Sequence, residues 1–246
     1  MSVNNIDTSK SLTLDDKLQF SCHPGIKCFN KCCGDLSLFL TPYDIIRMKN
    51  NLGITSTEFL KDYTKCNMGE NSGLPVVFLK MKDDESCPFV TDEGCSIYKD
   101  RPSSCRLYPL ARMKSHNKEY YHIVKEDHCK GFEEDKEWTV REWLEDQEGD
   151  TFNEMNDLFM EVISGKLKNP DKQLTDKELK MFYMACYNID KFREFVASTK
   201  FLDYFDVDEN IVDGSDAEIM KLGFKYVRFA LFKEKTLQLR GTEVTE

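Results

Sequence analysis

The stretch SCHPGIKCFNKCCGD, residues 21–35, places four cysteines within twelve positions, at Cys22, Cys28, Cys32 and Cys33. A second stretch, CPFVTDEGCSIYKDRPSSCRLYP at residues 87–109, adds Cys87, Cys95 and Cys105, and Cys129 follows with 23 residues between it and Cys105. Eight thiols thus fall four and four in sequence, on either side of a long gap. Gly34 after Cys33, Pro88 after Cys87 and Gly94 before Cys95 let the backbone turn tightly there and aim N–H groups at sulfur. That pattern suits a metal site, where thiolates must converge and be compensated by the metal and by donors facing the sulfur.

Ten cysteines among 246 residues need an explanation. Disulfide frameworks belong to secreted domains, and the first twenty residues are polar, with no apolar core of a secretion signal. A cytoplasmic location is therefore expected, and with it reduced thiols. Buried free cysteines acting as small apolar side chains are the bland alternative. It fits poorly with Cys28, Cys32 and Cys33 in a loop that also holds Lys27, Asn30 and Lys31. Adjacent side chains diverge, so Cys32 and Cys33 serve different metal atoms, in two sites or one multinuclear site. Structural zinc favours ligand pairs separated by two to four residues, and only Cys28 to Cys32 conforms. The wide spacing and Cys87-Pro88 favour an iron–sulfur cluster, 4Fe-4S, over zinc. His23 and His128 flank Cys22 and Cys129 and are further candidate ligands.

Composition removes other classes. Residues 1–130 carry 18 Lys+Arg against 17 Asp+Glu, and residues 131–246 carry 16 against 27. The C-terminal half is acidic, which argues against nucleic acid as a partner. No stretch approaches the roughly 20 apolar residues of a membrane span. The sequence contains no phosphate loop, no His-Glu-x-x-His helix and no Ser/His/Asp arrangement to mark a catalytic centre. The acidic helices offer a surface for a protein redox partner.

An α+β fold is expected, with a polar segment at 1–20, a cysteine-cluster metal-binding domain at 21–132, and an acidic α-helical region at 133–246 packed on it. Thr41-Pro42 starts a helix that Gly53 closes, and Thr55 with Glu58 forms a capping box for a second, running to about Tyr63. Val76–Met81 and Tyr120–Val124 read as strands. Further capping boxes are expected at Thr139/Glu142, Thr151/Glu154, Thr175/Glu178 and Ser215/Glu218. Phe152, Met155, Leu158, Phe159, Val162 and Ile163 share one helical face, with Gly165 ending the helix. Leu179, Phe182, Tyr183, Cys186 and Tyr187, with the later Ile219, Leu222, Phe224, Tyr226, Phe229 and Phe232, supply its partners, and their aromatic rings read as core.

The combined motifs, from Cys22 through Cys32-Cys33, Cys87-Pro88-Phe89, Gly94-Cys95-Ser96-Ile97-Tyr98, Arg101-Pro102, Cys105-Arg106 and Tyr108-Pro109, resemble the YkgJ-type cysteine-cluster family, described as zinc- or iron-chelating. The resemblance spans about residues 20–130. It implies ligand roles for Cys22, Cys28, Cys32, Cys33, Cys87, Cys95, Cys105 and Cys129, with no reaction attached. Flagellin lysine N-methylases carry a similar domain, which makes a methyltransferase-like enzyme an alternative to a redox or structural role. Phe201–Arg240 also looks like the C-terminal region of longer members from anaerobic bacteria. Arg106, one residue past a ligand, is a candidate cofactor-site residue that offsets the charge of the thiolate site and adjusts its potential or binds an anionic substrate, or else it bonds carbonyls. Cys66 and Cys186 lie outside the motif, the latter on an aromatic, core-type helix.

Overall fold

The computed structural model describes residues 6–115 and 118–241. Residues 1–5 of the polar N-terminal segment and 242–246 of the acidic region lie outside the described residues. In chain order the elements are β1 (Ile6–Leu12), β2 (Lys17–Gln19), β3 (Phe39–Leu40), α1 (Pro42–Leu52), α2 (Ser56–Tyr63), β4 (Thr64–Met68), β5 (Pro75–Leu79), β6 (Val90–Thr91), β7 (Gly94–Cys95), α3 (Ser103–Leu107), β8 (Leu110–Ser115), β9 (Lys118–Val124), β10 (Glu137–Thr139), α4 (Val140–Asp146), α5 (Gly149–Leu167), α6 (Asp176–Cys186), α7 (Ile189–Ser198), α8 (Phe201–Tyr204) and α9 (Asp216–Phe232). The fold is α+β. Contacts divide the chain into two units, one formed by Met1–Phe39 and Leu79–Asn153, the other by Leu40–Phe78 and Glu154–Glu246. No helix among the described residues is long and apolar enough to cross a membrane.

The first unit holds seven of the strands. β9 lies between β1 and β8, antiparallel to both, with Leu110 opposite Ile123 and Leu12 opposite Tyr121. β2 pairs with β10 through Leu18 and Trp138. Leu12, Leu18, Phe20, Leu107, Leu110, Tyr121, Val140, Trp143 and Leu144 form its buried core. Phe20 sits at the centre of an aromatic cage, edge-on to Trp143 at 5.4 Å, Phe132 at 5.2 Å and Tyr108 at 5.8 Å. Such contacts suit the positive edge of one ring and the negative face of the next. Trp138 and Trp143 satisfy their indole N–H groups on the carbonyls of Phe20 and Leu107. β1 comes from a segment read only as polar; a strand needs pairing more than hydrophobicity, and β9 supplies the pairing.

The second unit is mainly helical, and local chemistry explains its helix starts. Thr41/Asp44, Thr55/Glu58, Thr175/Glu178 and Ser215/Glu218 all close reciprocal capping boxes, and Gly53 ends α1 with φ 66°. α6, α7 and α1 pack on α9. Phe159 meets Tyr187 and Phe224 at 5.8 and 5.6 Å, so the expected apolar face of α5 does find its partners. Phe192, Phe195, Phe201 and Phe205 gather round Tyr226. Two expectations for α5 need correction. It begins at Gly149, so Thr151 and Glu154 lie inside it rather than capping it, and it runs past Gly165 to Leu167. Gly165 serves packing: a Cβ there would meet the Phe232 ring at 2.6 Å.

Lys49 is buried in this unit, 2.8 Å from Asp216 and 3.6 Å from Asp190. Burial works to raise the Asp216 pKa, but hydrogen bonds from Lys49 and Arg193 outweigh it and hold the carboxyl below its ordinary value. The stabilisation is therefore complete above the unfolded carboxylate pKa of about 3.9 and is lost as pH falls through the lower folded value. Lys49→Ala, by leaving the half-buried Asp190 and Asp216 short of a cation while Arg193 still faces Asp216, is expected to cost about 2 kcal/mol at neutral pH, measured by urea unfolding, with a smaller penalty at pH 3.

Candidate metal centre

Three stretches of the first unit carry the eight motif cysteines, and backbone hydrogen bonds join them. Residues 21–34 follow a chain of tight turns, through Ile26 N–H to His23 O, Phe29 to Ile26, Lys31 to Cys28 and Cys33 to Asn30. Asn30 adopts φ 66°, a left-handed conformation that its short polar side chain tolerates. Its side chain is anchored on the Thr91 carbonyl at 2.8 Å. Lys31–Cys33 then forms one turn of 3-10 helix. The Cys87 N–H donates to the Cys33 carbonyl at 2.7 Å, and Gly34 and Ser86 form a β-bridge. β6 and β7 pair Val90 with Cys95, and α3 carries Cys105. On the other side, Ser21 N–H donates to the Gly131 carbonyl at 3.0 Å, and the Lys130 N–H donates to Cys28 Sγ at 3.1 Å.

Cys22, Cys32, Cys33, Cys87, Cys95 and Cys105 line a cavity of about 1010 Å³, with Tyr98, Arg101, Tyr108, Trp138 and Trp143 among its walls. Cys28 is buried and Cys129 half-buried beside it. The thiols sense one another. Burial pushes Cys22 up to about 11, helped by Cys32, Cys28 and Cys129. Cys33 donates its S–H to Cys32, which brings Cys32 down to about 7 and, with burial, Cys105 and Cys87, drives Cys33 far up. Burial also raises Cys87 and Cys95, against the opposing pull of the Phe89 and Ile97 N–H groups. Among the described residues no three His, Cys, Asp or Glu side chains converge into the geometry of one bound ion. The thiols share a neighbourhood rather than a finished polyhedron. Their chemistry fits a thiophilic metal: several soft sulfurs, too costly to ionise together without a cation, and backbone donors already facing some of them.

The flanking groups sort themselves by contact. His23 accepts from Gly25 N–H at Nδ1 and meets Glu134 through Nε2 at 3.2 Å, so both ring nitrogens are engaged. His128 lines the cavity. Arg106 is 2 % exposed; it donates to the carbonyls of Gln147 and Lys99 and lies over the Phe152 ring at 4.3 Å. The cations on the cavity wall are instead Lys31, Lys136 and Arg101, of which Arg101 stacks on Tyr98 at 3.8 Å and pulls against the rise of Cys95. One contributor gave no sequence signal, the Lys130 N–H, an ordinary backbone donor; Tyr108 belongs to the motif, but nothing in the sequence placed its hydroxyl near Cys129. That hydroxyl is buried without a hydrogen-bond partner of good geometry; burial and the adjacent Cys129 thiol push its pKa far above the ordinary tyrosine value. Cys66 and Cys186 belong to the second unit, Cys66 exposed and Cys186 fully buried.

Residues 21–141 match the family model CxxCxxCC, described as a "putative zinc- or iron-chelating domain". They belong to that family. A search of the curated proteins and of the solved structures found no match. The CxxCxxCC domain is a metal-binding module, and here its first cysteines are spaced more widely than the family name spells, with five residues between Cys22 and Cys28 and three between Cys28 and Cys32. Gly131 holds the first and last cysteine stretches together, because a Cβ there would meet Phe20 Cε2 at 2.4 Å and the Ser21 carbonyl at 2.8 Å. Gly131→Ala is expected to cost about 2 kcal/mol of stability through this overpacking, read by thermal unfolding, and to weaken metal retention against a chelator.

Proposed function

We propose that the CxxCxxCC domain holds iron and sulfide on ligands drawn from Cys22, Cys28, Cys32, Cys33, Cys87, Cys95, Cys105 and Cys129, as a four-iron four-sulfur centre, and that the protein serves electron transfer. One observation carries this reading: the thiols gathered in one neighbourhood come from wide, irregular spacings, among which only Cys28 to Cys32 has the two-to-four-residue separation of structural zinc pairs. Bound there, such a centre would supply one-electron chemistry. The chain's part is to bury Cys28 and half-bury Cys33, Cys87, Cys95, Cys105 and Cys129 while Cys22 and Cys32 stay exposed, to aim N–H groups at Cys28, Cys87 and Cys95, and to set Arg101 beside Cys95 as a counter-charge. The acidic excess of residues 131–246 suits a basic redox partner.

Anaerobically purified protein is expected to contain iron and acid-labile sulfide and to show broad visible absorbance that bleaches on reduction. Colourless protein holding zinc alone would overturn the redox reading and favour a second one, a structural module. That second reading is supported by the turn-rich path of residues 21–35, which contains little regular structure; chelation would then abolish hydrogen-exchange protection in the first unit.

The Tyr108 hydroxyl beside Cys129 is in place to donate to the sulfur once that sulfur is a thiolate. Hydrogen bonds to sulfur raise the potential of iron–sulfur centres. Tyr108→Phe should therefore leave iron content unchanged and lower the midpoint potential, as read by a redox titration.

A further inference from the structure

We propose that the eight thiols form two four-sulfur metal sites, Cys22, Cys28, Cys32 and Cys129 in one and Cys33, Cys87, Cys95 and Cys105 in the other, divided between the adjacent Cys32 and Cys33. This rests on the metal-thiolate reading above and deepens it. The division is not the one the sequence spacing displays, because Cys33 and Cys129 exchange places.

Backbone geometry carries the argument. The chain around Cys22 and Cys28 is hydrogen-bonded to the chain around Cys129, through Ser21 to Gly131 and through Lys130 to the Cys28 sulfur itself. The chain around Cys33 is hydrogen-bonded to that around Cys87, and the β6–β7 hairpin folds Cys95 back onto Val90. Between the two groups stands the single 3-10 turn Lys31–Cys33. A 3-10 helix has three residues per turn, so successive side chains point about 120° apart. Cys32 and Cys33 therefore leave the turn on different headings while their sulfurs stay within hydrogen-bond reach, so the two groups meet at this pair.

Which thiols lie near enough to influence one another follows the backbone grouping. Cys22 senses Cys32, Cys28 and Cys129, and Tyr108 senses Cys129 and Cys32. Beyond its neighbour Cys32, Cys33 senses Cys105 and Cys87, and Cys87 senses Cys95. Two links cross the division: the S–H of Cys33 to Cys32, where the two sets abut, and the influence of Cys32 on Cys95, the weakest contribution there. Four thiolates satisfy a tetrahedral ion or one cubane, so each set is complete in ligand number.

Cadmium loaded anaerobically into the metal-stripped 246-residue chain tests the division by cadmium NMR and metal counting. Two bound ions and two thiolate-type resonances are expected. Cys32→Ser should move one resonance and Cys33→Ser the other. Cys28→Ser/Cys129→Ser should retain one ion, whereas Cys28→Ser/Cys33→Ser should lose tight binding of both. One ion retained by Cys28→Ser/Cys33→Ser, with both lost from Cys28→Ser/Cys129→Ser, would restore the grouping by sequence and overturn the proposal. So would a single resonance that responds to every substitution. Should either single variant lose its dispersed amide spectrum, Cys22→Ser and Cys95→Ser report on the same two sets. Cadmium replaces zinc or iron alike, so zinc as the native metal would defeat the electron-transfer reading while leaving this pattern intact, and a failed pattern in an iron-loaded protein would do the reverse.

Discussion

Everything at the cysteine site depends on a few backbone hydrogen bonds between stretches separated by 50 to 110 residues. Cys87 N–H to Cys33 O, Ser21 N–H to Gly131 O, and Lys130 N–H to Cys28 Sγ hold three irregular loops in register. Bringing those loops together costs chain entropy that grows slowly with their separation, and each bond by itself returns only about 1 kcal/mol. The core behind them therefore has to carry the cost. Phe20 links the two: it anchors the aromatic cage and lies two residues before the first ligand candidate.

The same economy of position separates the two arginines. Arg106 spends its donors on carbonyls and its flat face on Phe152, which makes it a strut of the first unit. Arg101 also bonds protein groups, the Tyr98 carbonyl and the Gln147 side chain, yet it remains on the wall where sulfur charge would develop. Being one residue from a ligand in sequence says little about which way a side chain turns. The helical path of α3 carries Arg106 toward Gln147 and Lys99.

Features governed by local chemistry were legible in the sequence. Thr55, Thr139, Thr175 and Ser215 cap helices as their spacing to Glu dictates, Thr41 does so ahead of Pro42, and Gly53 stops α1 because its conformation is open to glycine. Thr151/Glu154 has identical chemistry and fails, since Glu148 turns with φ 51° and the helix has already restarted at Gly149. Gly165 misleads for a tertiary reason, the ring of Phe232. The gathering of cysteines was legible because thiols in polar loops have few other uses. The closeness of Cys129 to Cys28, and of Cys33 to Cys87, was not, because it is decided by which loop the backbone returns to. That residues 40–78 associate with 154–246 likewise leaves no local mark.

The capping boxes bear on what the chain shows the outside world. Glu58, Glu142, Glu178 and Glu218 each accept hydrogen bonds from the Thr or Ser three residues earlier, and each is held below the usual glutamate pKa by those bonds. Their negative charge is already shared with the positive ends of helices. A tally of acidic side chains therefore exaggerates the field that reaches an approaching molecule. What such a molecule would feel is set by the carboxylates left over once every helix has taken its own.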